Sequence, residues 1–274
     1  MEIIEFIIVI LVVIMILGYQ NMIIQRYTIV SEKIHHSVKI ALITDLHGAV
    51  YGKHQVELVQ TIKNEQPDLI FIVGDFIDKY CRIEDVADLL KGISNIPCYY
   101  VLGNHESQVD LSFVKKYMSH YGVHFIGQRV KQMTMKGTVL TIAGIDDPMT
   151  FASSIIIDED FKQWKKALHQ LNEKIDQKSY TILLSHRPSF VEEYQKTNFD
   201  LIVSGHAHGG QWRIPGLLNG LIAPDEGLFP CYAGGQYDLD NRHFIVSRGL
   251  AKNLIPRVFN PPELVMIDLV PDKT

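Results

Sequence analysis

Cysteine is scarce. The chain has three, Cys81, Cys98 and Cys231, scattered along its length with no CxxC pair. A disulfide framework and a thiolate zinc site are both excluded on that pattern, and free thiols are the default. Positive charge is short as well: 26 Lys and Arg face 31 Asp and Glu, a formal charge of −5, and no block of like charges stands out. A large nucleic-acid footprint needs a basic face, so no nucleic-acid partner is expected. Low-complexity segments, internal repeats and a Pro/Gly/Ser-rich linker are also lacking. What remains is ordinary for a folded globular protein, with 47% apolar and 21% charged residues over 274 positions. With no linker after residue 37, residues 38–274 read as one domain.

One long hydrophobic run is present, at the N-terminus. "IIEFIIVILVVIMILGY" (3–19) is interrupted only by Glu5. A secretory signal would carry a basic n-region and a small-residue cleavage site; here the run follows Glu2, and no A-x-A appears. Extended to Ile24, the stretch is long enough to cross about 30 Å of hydrocarbon. Residues 1–24 therefore read as a transmembrane anchor and 25–37 as a linker. That placement makes the protein a single-pass cell-membrane protein. Arg26, Lys33 and Lys39 follow the run, and the positive-inside rule leans toward a cytoplasmic domain.

From Val38 onward, short apolar runs alternate with amphipathic stretches. The runs are "VKIALIT" (38–44), "DLIFIVG" (68–74), "CYYVLG" (98–103), "YTILLS" (180–185) and "FDLIVSG" (199–205). Helices are expected near 52–65, 83–93, 111–121, 158–175 and 189–196. Continuous apolar strands alternating with helices indicate sheets covered by helices, an α/β fold. Residues 123–145 differ and read as antiparallel strands around a Lys136-Gly137 turn. "HFIVSR" (243–248) and "ELVMIDLV" (263–270) read as further strands.

Each of the five runs ends in polar residues of one chemical kind. The first is followed by Asp45 and His47, the second by Asp75, and the third by Asn104 and His105. The fourth is followed by His186 and Arg187, and the fifth by "GHAHGG", which carries His206 and His208. Any one of these alone is an ordinary cap, turn or core histidine. In an open α/β sheet, however, ligands bind beyond the carboxyl ends of the strands. Five strand ends with the same donor chemistry point to metal. Oxygen and nitrogen donors from Asp, His and Asn exceed what one tetrahedral zinc uses, so two ions are expected. Mixed carboxylate and imidazole ligation fits Mn²⁺ first, with Fe or Zn²⁺ as alternatives.

In this order, "DLH", "GDF", "GNHE", "SHRP" and "GHAHGGQ" resemble the five motifs of the calcineurin-like metallophosphoesterases, over about 39–210. The tail "VSRGLAKNLIPRVFNPPELVMIDL" further resembles a bacterial branch of membrane-associated or exported phosphodiesterases, some acting on UDP-2,3-diacylglucosamine. The resemblance implies a four-layer α/β/β/α sandwich of two mixed β-sheets, with a dinuclear metal site at the strand ends. It implies Asp45, His47 and His208 on the first metal, Asn104, His186 and His206 on the second, and Asp75 between them. His105 would protonate the leaving group. Arg187, Gly209 and Gly210 are candidate phosphate contacts: the arginine by bidentate hydrogen bonds, with a surface salt bridge as its equal alternative, the glycines through backbone N–H groups.

The activity expected is hydrolysis of a phosphodiester or pyrophosphate, lipid-linked or nucleotide. The apolar segment 214–230 is a candidate acyl-chain groove or a core strand. Alternatives are a diesterase or nuclease of the same superfamily acting on a soluble substrate, or a phosphomonoesterase. Phosphoprotein phosphatases carry extra arginines after their G-D motif, where this chain has Phe76-Ile77-Asp78.

Overall fold

A computed structural model describes residues 5, 6, 9, 21–151, 157–252 and 256–272. Two six-stranded mixed sheets lie face to face. The first has the order β1 (Ile23–Ser31), β14 (Glu263–Pro271), β2 (Val38–Ile43), β3 (Leu69–Val73), β4 (Cys98–Val101) and β5 (Val123–Phe125). The second has the order β12 (Gly235–Leu239), β13 (Arg242–Val246), β9 (Leu201–Ser204), β8 (Tyr180–Ser185), β7 (Thr138–Ile145) and β6 (Arg129–Met135). In the first sheet β2 to β5 run parallel, and in the second β7, β8, β9 and β13 do. Their C-terminal ends therefore share one rim in each sheet.

The unbroken apolar runs follow from burial on both faces. Ile40, Leu42, Leu69, Phe71 and Val73 point inward and meet Ile142, Ile182, Leu184 and Val203 of the opposite sheet. Their neighbours Ala41, Ile43, Ile70 and Ile72 point outward. They pack under α1 (Val56–Glu65), α2 (Ile83–Ile93) and α3 (Leu111–Ser119). On the far side, Ala143, Leu183 and Ile202 pack with Trp164 and Leu168 of α4 (Ile157–Asn172) and Tyr194 of α5 (Val191–Tyr194). The result is four layers, helix, sheet, sheet, helix. Each fully buried Leu, Ile or Phe contributes about 1.5–3 kcal/mol, so the sandwich is a rigid base for the loops on its rim. The Lys136-Gly137 turn is present between β6 and β7, with both residues left-handed (φ 50° and 84°).

Two expectations at the N-terminus are corrected. Among the described residues, no helix is long and apolar enough to cross a membrane. The expected transmembrane helix, and the single-pass membrane placement built on it, are overturned on that finding. Ile23 and Ile24, assigned to the span, open β1, while most of 1–20 lies outside the described residues. Much of the expected linker is strand too. Ile23–Ser31 pairs in parallel with Glu263–Pro271 along its whole length, and Ile29 is buried in the inter-sheet core. The aromatic and β-branched "YTIV" inside 25–37 was the local sign of this strand.

Candidate metal centre

The polar residues at the strand ends are held in unusual backbone conformations. Asp45 (φ 49°), His47 (47°), Asp75 (51°), His206 (65°) and His208 (48°) are all left-handed. A non-glycine residue adopts this region at roughly 1–2 kcal/mol, and such strain persists only where the surroundings enforce it. Here main-chain bonds do so. Asp45 N donates to Gly74 O (3.1 Å) and His47 N to Asp75 O (2.9 Å). Gly205 N donates to His186 O (3.0 Å), and Leu250 N to Thr44 O (3.1 Å).

These turns bring the side chains together from both sheets. Asp45, His47 and His208 form one group whose potential ligand atoms all lie within 4.8 Å of one another, and Asp75, His186 and His206 form another. Within the second group His186 Nε2 is 3.2 Å from Asp75 Oδ2; between the groups it is 4.0 Å from Asp45 Oδ1, and His47 Nε2 is 3.6 Å from Asp75 Oδ2. His186 Nδ1 bonds Val73 O (3.0 Å), which leaves Nε2 facing the carboxylates. His105 stands at the edge, with its ring perpendicular to that of His47 at 4.5 Å and its backbone N on Asp75 Oδ1 (2.9 Å).

Electrostatics and unpaired atoms fit cations at this place. Asp45 and Asp75 are buried carboxylates, which are costly without compensating charge. Burial pushes the Asp75 carboxyl up, but His186, His47 and His105 outweigh it and hold it well below the usual range. Burial opposes charge on His186, yet Asp75 and Asp45 raise its pKa to about 10. His208 goes the other way, down to about 3, because burial there exceeds the pull of Asp45. His47 Nε2 and Asn104 Oδ1 are buried with no hydrogen-bond partner. An unsatisfied buried acceptor beside two carboxylates suits a bound cation. The donor set of oxygens and imidazole nitrogens, with no thiolate, suits a hard or borderline divalent ion.

Several residues that complete the centre were not among the sequence-derived candidates. Glu106, in the same "GNHE" as Asn104, is fully buried and accepts from the backbone N of Asp75, Phe76, Ile77 and Gly103 and from the Tyr100 hydroxyl. Asp78 lies 3.3 Å from His47 Nδ1, and its place three residues after Asp75 was the available signal. Asn260 donates to His208 O (2.7 Å) and Gln211 O (3.1 Å), and buried Arg257 lies 3.5 Å from His208 Nδ1. Both lie in the tail whose resemblance to the bacterial branch was the available signal, though neither stood out there as a site residue.

Arg187, Gly209 and Gly210 are each held against other parts of the chain. Arg187 is bidentate on buried Asp147 through Nε and Nη2, and its Nη1 meets Asp225. A Cβ on Gly209 would lie 2.1 Å from Asn260 Oδ1, and one on Gly210 would lie 2.4 Å from Gly220 Cα. The glycines are needed for packing behind the His208 loop. Gly209→Val should displace Asn260, release the tether on His208, and lower both metal content and turnover by roughly tenfold or more, as loss of outer-sphere support does elsewhere. Metal analysis alongside phosphodiesterase assays checks this, and unchanged values on both would refute it.

A family model described as "Calcineurin-like phosphoesterase" matches residues 38–210. An uncharacterized metallophosphoesterase of Aquifex aeolicus is 28% identical over 257 residues, covering 90% of this chain and 91% of the relative. The uncharacterized metallophosphoesterase YkuE of Bacillus subtilis is 28% identical over 259 residues, covering 89% and 84%. Among solved structures, the phosphopantetheinyl hydrolase of Mycobacterium tuberculosis has a TM-score of 0.54 at 14% identity, covering 88% of this chain and 98% of that one. A dimetal phosphatase of Danio rerio has a TM-score of 0.51 at 12% identity, covering 77% and 87%. These structures share the fold.

Proposed function

The chain belongs to the calcineurin-like phosphoesterases, and from that premise we propose that it is a phosphodiesterase or pyrophosphatase whose two metals are Mn²⁺. The chain is a metal-dependent phosphoester hydrolase with a dinuclear divalent metal site. Asp45, His47 and His208 would hold one cation and Asn104, His186 and His206 the other, with the Asp75 carboxylate available to both. The observation that carries it is the convergence of buried Asp45 and Asp75 with His47, His186, His206 and His208, with His47 Nε2 buried and unpartnered among them.

Bound there, two divalent cations neutralise charge on the phosphoryl group and acidify water at neutral pH. The chain's own residues do the rest. Asp75, through Oδ1, holds the His105 backbone and so sets the imidazole at the rim. His105 protonates the departing oxygen; burial, against the pull of Asp75, lowers its pKa from the usual histidine value. His105→Ala should keep both metals and lose about 10²–10⁴-fold in turnover of an alkyl diester. The loss should be much smaller for bis-p-nitrophenyl phosphate, whose leaving group needs no proton. Equal losses on both substrates would remove the acid role.

A diester is favoured over a monoester by charge. A monoester dianion calls for cationic side chains near the metals, whereas Arg187 is neutralised by Asp147 and Asp225, and the Asp78 carboxylate offsets Arg257 beside His208. A lipid-linked nucleotide diphosphate, the substrate type of the UDP-2,3-diacylglucosamine branch, is the finer candidate. Support for it is the apolar surface of Leu217, Ile222, Leu228 and Phe229, all exposed, on the segment after the metal motif. The test compares bis-p-nitrophenyl phosphate, p-nitrophenyl phosphate, single-stranded DNA, a soluble nucleotide diphosphate sugar and its diacylated form, with Mn²⁺, Zn²⁺ and Mg²⁺. Preference for the monoester would overturn the diesterase reading.

A further inference from the structure

Residues after the metal motif return to it through a small hairpin, β10 (Ile222–Ala223) and β11 (Gly227–Leu228). Leu221 N donates to Gly210 O (2.8 Å) and Trp212 O (2.9 Å), and Phe229 N to Leu221 O (2.9 Å), so the hairpin is fastened beside the His208 loop. Its turn carries Asp225 with φ 62°. Asp225 Oδ2 lies 2.8 Å from His206 Nε2 and also accepts from Arg187 Nη1. Arg187 is fixed in turn on Asp147 at the end of β7. An alternating series therefore runs Asp147, Arg187, Asp225, His206 and ends on a residue of the metal centre.

We propose that Asp225 is a positioning residue for the second cation: it fixes the His206 tautomer whose Nδ1 lone pair faces the cation site, and Arg187 keeps the carboxylate in place. The inference rests on His186 and His206 being ligands. A neutral imidazole has one N–H, and an acceptor at Nε2 places it there, leaving Nδ1 free to ligate. His206 Nδ1 lies 3.2 Å from His186 Nε2, so both nitrogens look at the same point. His186 is oriented by the Val73 main-chain carbonyl. His206 has a carboxylate in the corresponding role, which also makes the ring a stronger donor. An isolated surface ion pair would contribute little. Here, though, the Asp225 side chain is 43% exposed while those of His206 and Arg187 are each only 6% exposed. The carboxylate thus closes two buried groups from the solvent side.

The experiment is titration of Mn²⁺ onto the metal-stripped full chain by calorimetry, with metal analysis of each complex. Wild type should bind two equivalents. Asp225→Gly suits the left-handed backbone and removes the carboxylate. It should weaken the second equivalent about 10–100-fold and leave the first unchanged. Asp225→Asn keeps an oxygen for His206, loses the charge, and should fall between. Leu228→Ala on the same hairpin should change neither equivalent. Two equivalents in wild type with unaltered affinities in Asp225→Gly would overturn the positioning role, and so would equal weakening of both. A wild type that takes up fewer than two would instead sink the ligand assignment, and this inference with it.

Discussion

Asp75→Asn is expected to leave the protein folded and to abolish metal-dependent turnover, by about 10³-fold or more given the several kcal/mol of charge stabilisation at stake. Bound metal should fall from two ions to one or none. Asp75 is the carboxylate that faces both halves of the centre. Oδ2 lies 3.2 Å from His186 and 3.6 Å from His47, while Oδ1 holds the His105 backbone. An amide keeps the shape and loses the charge. Metal analysis with assays over a range of Mn²⁺ concentrations decides the matter, and near-wild-type turnover at any concentration would refute it.

The same substitution has a pH signature in metal-stripped protein. His186 is raised from 6.5 to about 10, chiefly by Asp75 against the opposing effect of burial. A raised histidine stabilises the fold fully below 6.5 and loses that contribution as pH climbs through about 10. Asp75 is depressed from 3.8, so its share is present above 3.8 and lost on acidification. The two describe one interaction. The stability gap between wild type and Asp75→Asn should be widest between these limits and close toward pH 10, as read from urea midpoints. A pH-independent gap would refute the pairing.

Glu106→Ala should cost about 3–5 kcal/mol of stability, the range for breaking a buried charged network. Its carboxylate is the common acceptor for four backbone N–H groups, from Asp75 (3.0 Å), Phe76 (2.7 Å), Ile77 (3.0 Å) and Gly103 (2.8 Å), and for the Tyr100 hydroxyl. Removal strands these donors in a dry interior, at about 1–3 kcal/mol for each that water cannot reach. Glu106→Gln should be destabilised too, because an amide N–H₂ would face donors. Metal affinity should drop along with stability, since the turns bearing Asp75 and Asn104 lose their shared anchor. A denaturant midpoint within experimental error of wild type would show that the network is dispensable.

Much of this protein could be read along the chain. The strands of the sandwich were visible because burial on both faces leaves no polar residue in a run such as Leu69–Val73. The metal centre was visible because each of five strands ends directly before a residue able to ligate, and parallel strands share a rim. The N-terminal edge was misread. Apolar and β-branched residues suit either a membrane span or an edge strand, and only pairing with Glu263–Pro271, more than 230 positions away, made Ile23–Ser31 a strand. Arg187 was likewise ambiguous, since a guanidinium prefers whichever anion the fold supplies, and here that is Asp147 and Asp225.

The sequence by itself determined the layers, the position of the rim and the chemical type of the donors, because those depend on hydrophobic period and on residues adjacent in the chain. Tertiary structure alone decided which donor atoms converge at the rim. Left-handed turns at Asp45, Asp75 and His208, the convergence of Glu106 on two loops, and the approach of Asp225 to His206 all require segments of both sheets to be in place. Contacts of that range depend on geometry closed by packing and have no signature in local composition.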